Sequence, residues 1–348
     1  MRAAIYNGPG DLVVGEKPEP LLHSRNAIAR VKVCTICGTD LKLYTVGNPR
    51  CKPPRVIGHE LAAEVIAVGE DVEGLTVGDR ITFATTIACK RCDYCSRGLE
   101  NLCPNVKCIS FDFDGGFAEL MEIPAEAIEG GNALVVPPAV SDLGAALAEP
   151  LSCAINAQKI ACVKPGNTVV VIGAGPLGCL NAEVAKAFGA HRVIITQTSP
   201  ARAALARKLA EVEVLEVGRD GAAGKVLEAT GGQGADVVIA TAPSASSQAE
   251  ALAMVRKGGT LSLFASLPKG ASSMEIDTRL IHYGQISVVG ASDSRPCDVR
   301  DALALVAAGK IEVDTLVTHQ LPLTKVLDGI ELMRNRTGLK IAIYPYPS

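Results

Sequence analysis

The chain has 348 residues, 34 Lys and Arg against 37 Asp and Glu, a formal net charge of −3, 48% apolar residues and 3% aromatics. That apolar content with so small a charge excess excludes a disordered chain. The slightly acidic balance argues against a nucleic-acid binder, which neutralises phosphates with Lys and Arg. The longest charge-free run, residues 165–182, holds four Gly and two Pro and reads unlike a membrane-spanning helix, so no membrane partner is expected. The opening MRAAIYNGPG lacks the basic-then-apolar pattern of a secretory signal, and a cytoplasmic location is expected. The length suits two domains.

Taken in chain order, residues 1 to about 150 are short apolar runs broken by turn residues. Strands are predicted at Ile28–Val33, Glu64–Val68 and Arg80–Ala84, with Gly8-Pro9-Gly10, Gly69, Gly74 and Gly78-Asp79 between them, which indicates a β-rich domain. The texture then alternates. Thr168–Ile172 is a β-branched run of the kind a buried parallel strand requires. Leu177–Phe188 has helical spacing at Leu177, Leu180, Val184 and Phe188. A strand at Val193–Thr196, a helix at Ala201–Ala210, a strand at Asp236–Ala240, a helix at Ser247–Arg256 and a strand at Thr260–Phe264 follow. Strand, helix, strand at this spacing implies a doubly wound parallel sheet. The tail, 299–348, has no periodicity that places it.

Twelve Cys are present, eleven of them before residue 180. Without a secretory signal, metal binding explains them better than disulfides. The sharpest pattern is Cys89-x2-Cys92-x2-Cys95-x7-Cys103. Four thiolates this close in sequence can wrap one ion tetrahedrally and leave no open position, so the ion is structural. Ferredoxin runs also open C-x2-C-x2-C and end in Cys-Pro, as Cys103-Pro104 does, but their fourth Cys follows after three residues. Zinc is therefore expected.

A second set is dispersed. Cys37-Gly38-Thr39-Asp40 is placed in a loop after the strand at 28–33, Gly58-His59-Glu60 opens a strand, and Glu149-Pro150 closes the first domain. Cys, His and Glu are suitable zinc ligands, and three protein ligands with one open position define a catalytic zinc, although spacing alone does not bring these residues together.

A third motif is Gly173-Ala174-Gly175-Pro176-Leu177-Gly178, between a predicted strand and a predicted helix. Gly173 permits the tight turn, Gly175 lets backbone approach a pyrophosphate, Gly178 lets the helix pack on the strand, and Pro176 and Leu177 open the helix whose N-terminus stabilises the anion. The residue that selects between NAD and NADP falls at Gln197, 24 residues after Gly173, where an NAD site would carry an acid. Gln197 can hydrogen-bond a ribose hydroxyl and Arg202 can pair with a 2′-phosphate, so either NAD or NADP is compatible.

Taken together, these residues resemble the zinc-containing medium-chain alcohol dehydrogenase family over essentially the whole chain. Gly78-Asp79-Arg80-Ile81, Glu149-Pro150-Leu151-Ser152 and Gly338-Leu339-Lys340 add to the match. Glu149-Pro-Leu-Ser and the tail from Leu316 to Leu323 look most like the polyol (sorbitol/iditol) and threonine dehydrogenase branch. The resemblance implies an α/β protein: a GroES-like β-rich catalytic domain, 1–153 and 291–348, with a six-stranded Rossmann domain, 154–290, inserted. It implies two zinc ions per chain and a nicotinamide cofactor, an active site in the cleft, and a homodimer or homotetramer. Cys37, His59 and Glu149 match the catalytic zinc ligands, with Glu149 direct or through water. Glu60 matches a residue that can exchange onto the metal, Thr39 a hydroxyl that relays the substrate proton, and Lys340 a cation near the cofactor pyrophosphate. The reaction implied is hydride transfer between a secondary alcohol or its ketone and the nicotinamide, on a sugar alcohol, cyclitol or related polyol. A threonine-type amino-alcohol dehydrogenase is the alternative.

Two departures stand out. Lys42 stands where many members have His, and Asp293 where the sorbitol branch has Arg. With Ser294 and Arg295, these residues are expected to form a polar substrate pocket. Readings outside enzymes are an iron–sulfur carrier and a nucleotide sensor that has lost its active metal.

Overall fold

The computed structural model describes residues 1–209, 211–218, 221–268 and 270–346. They form two compact units, Met1–Ser152 with Asp293–Ser348, and Cys153–Ser292.

In the first unit the strand Ala27–Thr35 is central. It pairs antiparallel with Glu60–Val68, Leu120–Ile123 and Lys340–Tyr344. Arg80–Phe83 and Ala133–Val135 extend the sheet on one side and Val317–Pro322 on the other. Alternating β-branched residues suit this position, and Val31, Val33, Leu61, Ile81, Ile341 and Ile343 are fully buried. The register fixes which polar side chains meet at the end of the central strand. Thr35 faces Glu60 across one ladder and Ala342 across the other. The tail, which periodicity could not place, thus supplies a strand beside the centre of the sheet.

Two segments differ from expectation. Residues 37–40 do not form a loop; the helix Gly38–Val46 starts there. Cys37 is extended, with φ −100° and ψ 157°, and the Asp40 carboxylate at the third helical position accepts the Cys37 N–H at 2.9 Å. This is the acidic half of a capping box, and it satisfies a donor the helix start would otherwise leave bare. Glu149-Pro150 does fall at the close of the first unit, which runs to Ser152, but it lies inside the helix Asp142–Ile160 instead of ending an element. The buried stripe Leu147, Leu151, Ala154 and Ile155 carries the helix through the proline.

In the second unit, among the described residues, six parallel strands run in the order Glu213–Glu216, Arg192–Gln197, Thr168–Ile172, Ala235–Ala240, Val255–Leu263, Ser287–Gly290. The four inner strands are the apolar runs read from sequence. The two edge strands are short and half exposed, and periodicity does not reveal them. The helix expected over Ser247–Arg256 is shorter, Ala245–Ala251 with a 3₁₀ turn at Leu252–Met254. Val255 instead pairs with Ala235, so the sheet captures the residues that a helical pattern also suited. The helix expected at Ala201–Ala210 spans Pro200–Ala206, and Ala210 lies outside the described residues, as do Pro347 and Ser348. No helix among the described residues is long and apolar enough to cross a membrane.

The helix Pro176–Ala187 packs directly on its preceding turn. A methyl group at Gly178 would collide with the Gly173 carbonyl oxygen, a backbone atom that cannot yield. We expect Gly178→Ala to lower stability by about 2–3 kcal/mol in thermal or denaturant melts.

Candidate metal centres and cofactor site

Cys89, Cys92, Cys95 and Cys103 bring their sulfur atoms within 4.8 Å of one another. Cys92 Sγ lies 3.4 Å from Cys95 Sγ and 3.8 Å from Cys103 Sγ. Sulfurs bonded at about 2.3 Å around one tetrahedral ion stand about 3.8 Å apart, so the set fits a single zinc; a multi-iron cluster would hold its sulfurs farther apart. The lobe is local. A short helix, Asp93–Ser96, turns between the second and third thiols, and Cys89 N–H points at Cys103 Sγ at 3.4 Å. The Cys89 thiol is lowered to about 6, first by a backbone N–H from Arg91. Burial and its sulfur neighbours push Cys95 up to about 12. One thiol gives up its proton while a neighbour keeps it, as crowded sulfurs must until a cation joins them.

The dispersed set converges too. Cys37, His59 and Glu60 each place a ligand atom within 4.8 Å of the other two. Cys37 caps the helix Gly38–Val46, two residues beyond Thr35, and Glu60 begins the strand paired to Thr35. Gly58, at φ +93°, sets the turn before His59, and a side chain there would strike Cys34 Sγ at 2.8 Å and the Phe117 ring at 2.9 Å. Glu149 lies outside this trio, but its Oε1 accepts a hydrogen bond from Thr85 Oγ1 at 3.2 Å, and its charge acts on His59. Thr39 is half-buried in the first helical turn.

The electrostatics tell what the cluster suits. Asp40, Glu60 and Glu149 are all buried. Glu60 Oε2 accepts from Thr35 Oγ1 and Lys340 Nζ, whereas Glu60 Oε1 and Asp40 Oδ1 are buried without a hydrogen bond. Asp40 Oδ1 is 3.8 Å from His59 Nδ1. Burial raises the Asp40 carboxyl, with His59 opposing, and pushes Glu149 up to about 7, with Glu60 adding to the rise. Burial alone would lower His59, but the Cys37 thiolate, a hydrogen bond to it, Asp40 and Glu149 outweigh it and hold the imidazole well above its ordinary value. Each shift reports surplus negative charge in a dry pocket, which a dication neutralises. Mixed thiolate, imidazole and carboxylate donors suit zinc.

Lys340 is 2% exposed and ion-paired to Glu60, so its charge stands beside the metal trio. The expected polar pocket is revised. Ser294 is buried, its oxygen bonded to Thr86 Oγ1 and its hydroxyl to Ser152 Oγ. Arg295 pairs with Asp298 at 2.9 Å and donates to the Gly98 carbonyl at 3.2 Å. Both serve structure. Lys42 is exposed on the helix Gly38–Val46, and Asp293 is exposed. Sequence reasoning missed the roles of Asp40 beside His59, Thr35 on Glu60 and Thr85 on Glu149. The Cys37–Asp40 spacing, three residues as in a capping box, was the one available signal.

In the second unit, Gly173 (φ +103°) turns the chain between strand and helix, and Gly175 is the N-cap of Pro176–Ala187 with no side chain covering the amide ends. Pro176 occupies the first helical turn, where its missing N–H is not needed, and Leu177 follows it. The site has the form of an anion cradle. The Arg202 guanidinium stands beside it, with Nη1 3.6 Å from where a Gly175 side chain would begin. Gln197 is 8% exposed, and its Oε1 accepts the N–H groups of Thr198 and Ser199 at 2.8 and 3.0 Å. With its oxygen engaged by backbone, the amide has only N–H donors to offer a ligand.

Known proteins agree with this geometry. Residues 23–129 match the model of the alcohol dehydrogenase GroES-like domain, and residues 176–308 that of the zinc-binding dehydrogenases. A sorbitol dehydrogenase from Bacillus subtilis (strain 168) is 30% identical, covering 99% of this chain and 97% of that protein. An L-threonine 3-dehydrogenase from Pyrococcus horikoshii is 33% identical over 97% of both chains. A Sinorhizobium meliloti 1021 protein solved bound to NADP superposes with a TM-score of 0.90 at 29% identity, covering 99% of both chains. The chain belongs to the zinc-containing medium-chain alcohol dehydrogenase family. It is a zinc- and nicotinamide-dependent oxidoreductase, with the GroES-like and Rossmann folds of that family.

The two candidate metal sites of this dehydrogenase differ in what they hold together. We expect Cys92→Ser to remove one zinc equivalent per chain by elemental analysis and to lower the melting temperature by about 10 °C, since the lobe has no other core of its own.

Proposed function

We propose that this chain oxidises a secondary hydroxyl of a neutral polyol, with Cys37, His59 and Glu149 or Glu60 holding a catalytic zinc and the four-Cys lobe a structural one. The observation that carries this reading is the convergence of Cys37, His59 and Glu60 within 4.8 Å, in a pocket whose buried carboxylates call for a cation. The likeness to sorbitol dehydrogenase supports the polyol. A threonine-type substrate would bring its own carboxylate toward Glu60 and Glu149, and is not favoured on that ground.

When bound, zinc supplies a Lewis acid that lowers the pKa of an alcohol oxygen, and the nicotinamide supplies the hydride acceptor. The chain's residues supply the rest. Asp40 faces His59 Nδ1 at 3.8 Å, so its charge supports the imidazole that would hold the metal. Lys340 and Thr35 hold one oxygen of Glu60 and leave its Oε1 able to reach the metal. Thr39 takes the alcohol proton through its hydroxyl and passes it outward. A homodimer or homotetramer remains the expected assembly, and multi-angle light scattering counts the subunits.

The cofactor choice follows from Gln197 and Arg202. An N–H donor and a cation, with no acid at the end of Arg192–Gln197, suit the acceptor-only oxygens of a 2′-phosphate better than a ribose hydroxyl. NADP is the preferred form in this reading.

Two measurements test these assignments. In a panel of sugar alcohols, cyclitols and threonine, polyol turnover is expected to dominate, and Cys37→Ser and His59→Ala to lose at least about a thousandfold in kcat while still binding cofactor by fluorescence titration. Full activity in the Cys37 variant, or threonine as the best substrate, defeats the reading. Gln197→Asp is expected to move the ratio of kcat/KM for NADP over NAD at least about tenfold toward NAD, through repulsion of the 2′-phosphate.

A further inference from the structure

In the dinucleotide unit, the strand Thr168–Ile172 runs into the glycine turn, and its ladder with the neighbouring strand Ala235–Ala240 ends with Ile172 opposite Ala240. Thr241 stands one residue beyond that ladder and is half-buried. Its N–H donates to the Ile172 carbonyl at 3.2 Å. Its hydroxyl donates to the same carbonyl at 2.7 Å and lies 3.3 Å from the Gly173 carbonyl oxygen. A carbonyl oxygen has two lone pairs, so one residue saturates Ile172. The hydroxyl also borders the first and third glycines of the motif. A methyl group at Gly173 would begin 3.3 Å from Thr241 Oγ1, and one at Gly178 would begin 3.1 Å from it.

These contacts fix successive peptide planes. The Gly173 N–H, on the opposite side of its plane from the Ile172 carbonyl, donates to the Thr196 carbonyl at 2.8 Å, on the other neighbouring strand. The Gly173 carbonyl is confined between Thr241 Oγ1 and the space a Gly178 side chain would take. The planar peptide then turns the Ala174 N–H away from both. Gly173 lies at φ +103°, where glycine has no side chain to choose an orientation, so the surrounding contacts choose it. Past the turn, among the described residues, the first helical amide to find a backbone carbonyl is that of Cys179, which donates to Gly175 at 2.9 Å. The amides before it are those a helix start leaves to a ligand.

We propose that Thr241 is a positioning residue for the cofactor, its hydroxyl holding the Gly173 turn in the orientation that presents the helix amides to the pyrophosphate. This rests on the glycine turn being the pyrophosphate site. The sheet does not need the hydroxyl, because the Thr241 N–H bonds Ile172 without it and a valine suits the same backbone. The hydroxyl acts on the turn. The pyrophosphate is common to NAD and NADP and is remote from the carbon that receives hydride, so the effect falls on binding of both cofactors and not on the hydride step.

Thr241→Val removes the hydroxyl and keeps the branching, and Thr241→Ser keeps the hydroxyl. The zinc-loaded, full-length protein is titrated with NADPH and with NADH by fluorescence. Thr241→Val is expected to raise both Kd values about fivefold, by the same factor, and Thr241→Ser to stay within about twofold of wild type. The KM for cofactor is expected to rise about fivefold in Thr241→Val with kcat kept. Without cofactor, its melting temperature is expected to stay within about 2 °C of wild type. Unchanged Kd values in Thr241→Val, or a Thr241→Ser variant as weak as Thr241→Val, overturn the assignment. So does a melting temperature that falls beyond that margin in step with affinity, since the hydroxyl then serves stability alone. Gly175→Val tests the underlying reading, because the backbone there, at φ −78° and ψ 177°, takes a side chain without strain and that side chain occupies the cradle. If Gly175→Val binds cofactor as tightly as wild type, the pyrophosphate reading of the turn falls and the role of Thr241 with it. Loss of binding in Gly175→Val with none in Thr241→Val overturns the role of Thr241 alone.

Discussion

The catalytic unit turns on one buried carboxylate. Glu60 is fully buried, and the hydroxyl and the ammonium that hold it come from the next strand in the sheet and from the strand beyond it. Thr35 pairs with Glu60 on one side and with Ala342, two residues from Lys340, on the other. A slip of one residue in either pairing would turn Glu60 or Lys340 to the opposite face of the sheet and leave an unpaired charge in the core. Cys37 follows Thr35 by two residues and His59 precedes Glu60 by one, so the register that pairs the charges also assembles the metal donors. Chemistry and fold share one constraint here, because the strands cannot pair correctly without placing the donors.

That arrangement explains why the surrounding groups depart from their ordinary behaviour. A pocket holding three buried carboxylates and a thiol, against one ammonium, favours protons or a cation over its bare anionic form. The same excess bears on ligands. Anything entering must tolerate or relieve negative charge, and a zinc ion relieves it. The dinucleotide unit has the reverse character. Bare helix amides, the Gln197 N–H and Arg202 all favour anions. Each half of the reaction is thus served by the polarity its ligand lacks.

Much of this was legible in the sequence because it was local. The four-Cys spacing, the glycine turn between Thr168–Ile172 and Pro176–Ala187, and the four apolar inner strands each declare themselves within a few residues. The rest required pairing partners that lie far apart. Lys340 sits 280 positions from Glu60, and nothing around it signals burial; a Lys next to Gly338-Leu339 reads equally well as an exposed cation. Residues 37–40 look like a turn because Gly38 and Asp40 are turn formers, yet Asp40 reaches back to the Cys37 amide and starts a helix. Ser294 and Arg295 look like pocket residues by type, and their side chains instead meet Ser152 and Asp298. The edge strands Glu213–Glu216 and Ser287–Gly290 escaped notice because an edge strand is short and half-solvated, without the continuous apolar run that marks a central one.

The contrast between the two candidate zinc sites follows from the same distinction. The lobe from Cys89 to Cys103 closes a loop of fifteen residues, so its donors stay near one another even in a loosely ordered chain, and the ion can contribute to folding directly. The trio Cys37, His59 and Glu60 is gathered by the sheet, and the ion there is not needed to bring the strands together, since Thr35 and Lys340 already satisfy one oxygen of Glu60. A site assembled by folding can leave a donor atom such as Glu60 Oε1 unspent, whereas a site that helps to drive folding uses every donor it has. In the assignment proposed above, that difference suits the four-Cys lobe to a structural ion and the trio to one that accepts a substrate oxygen.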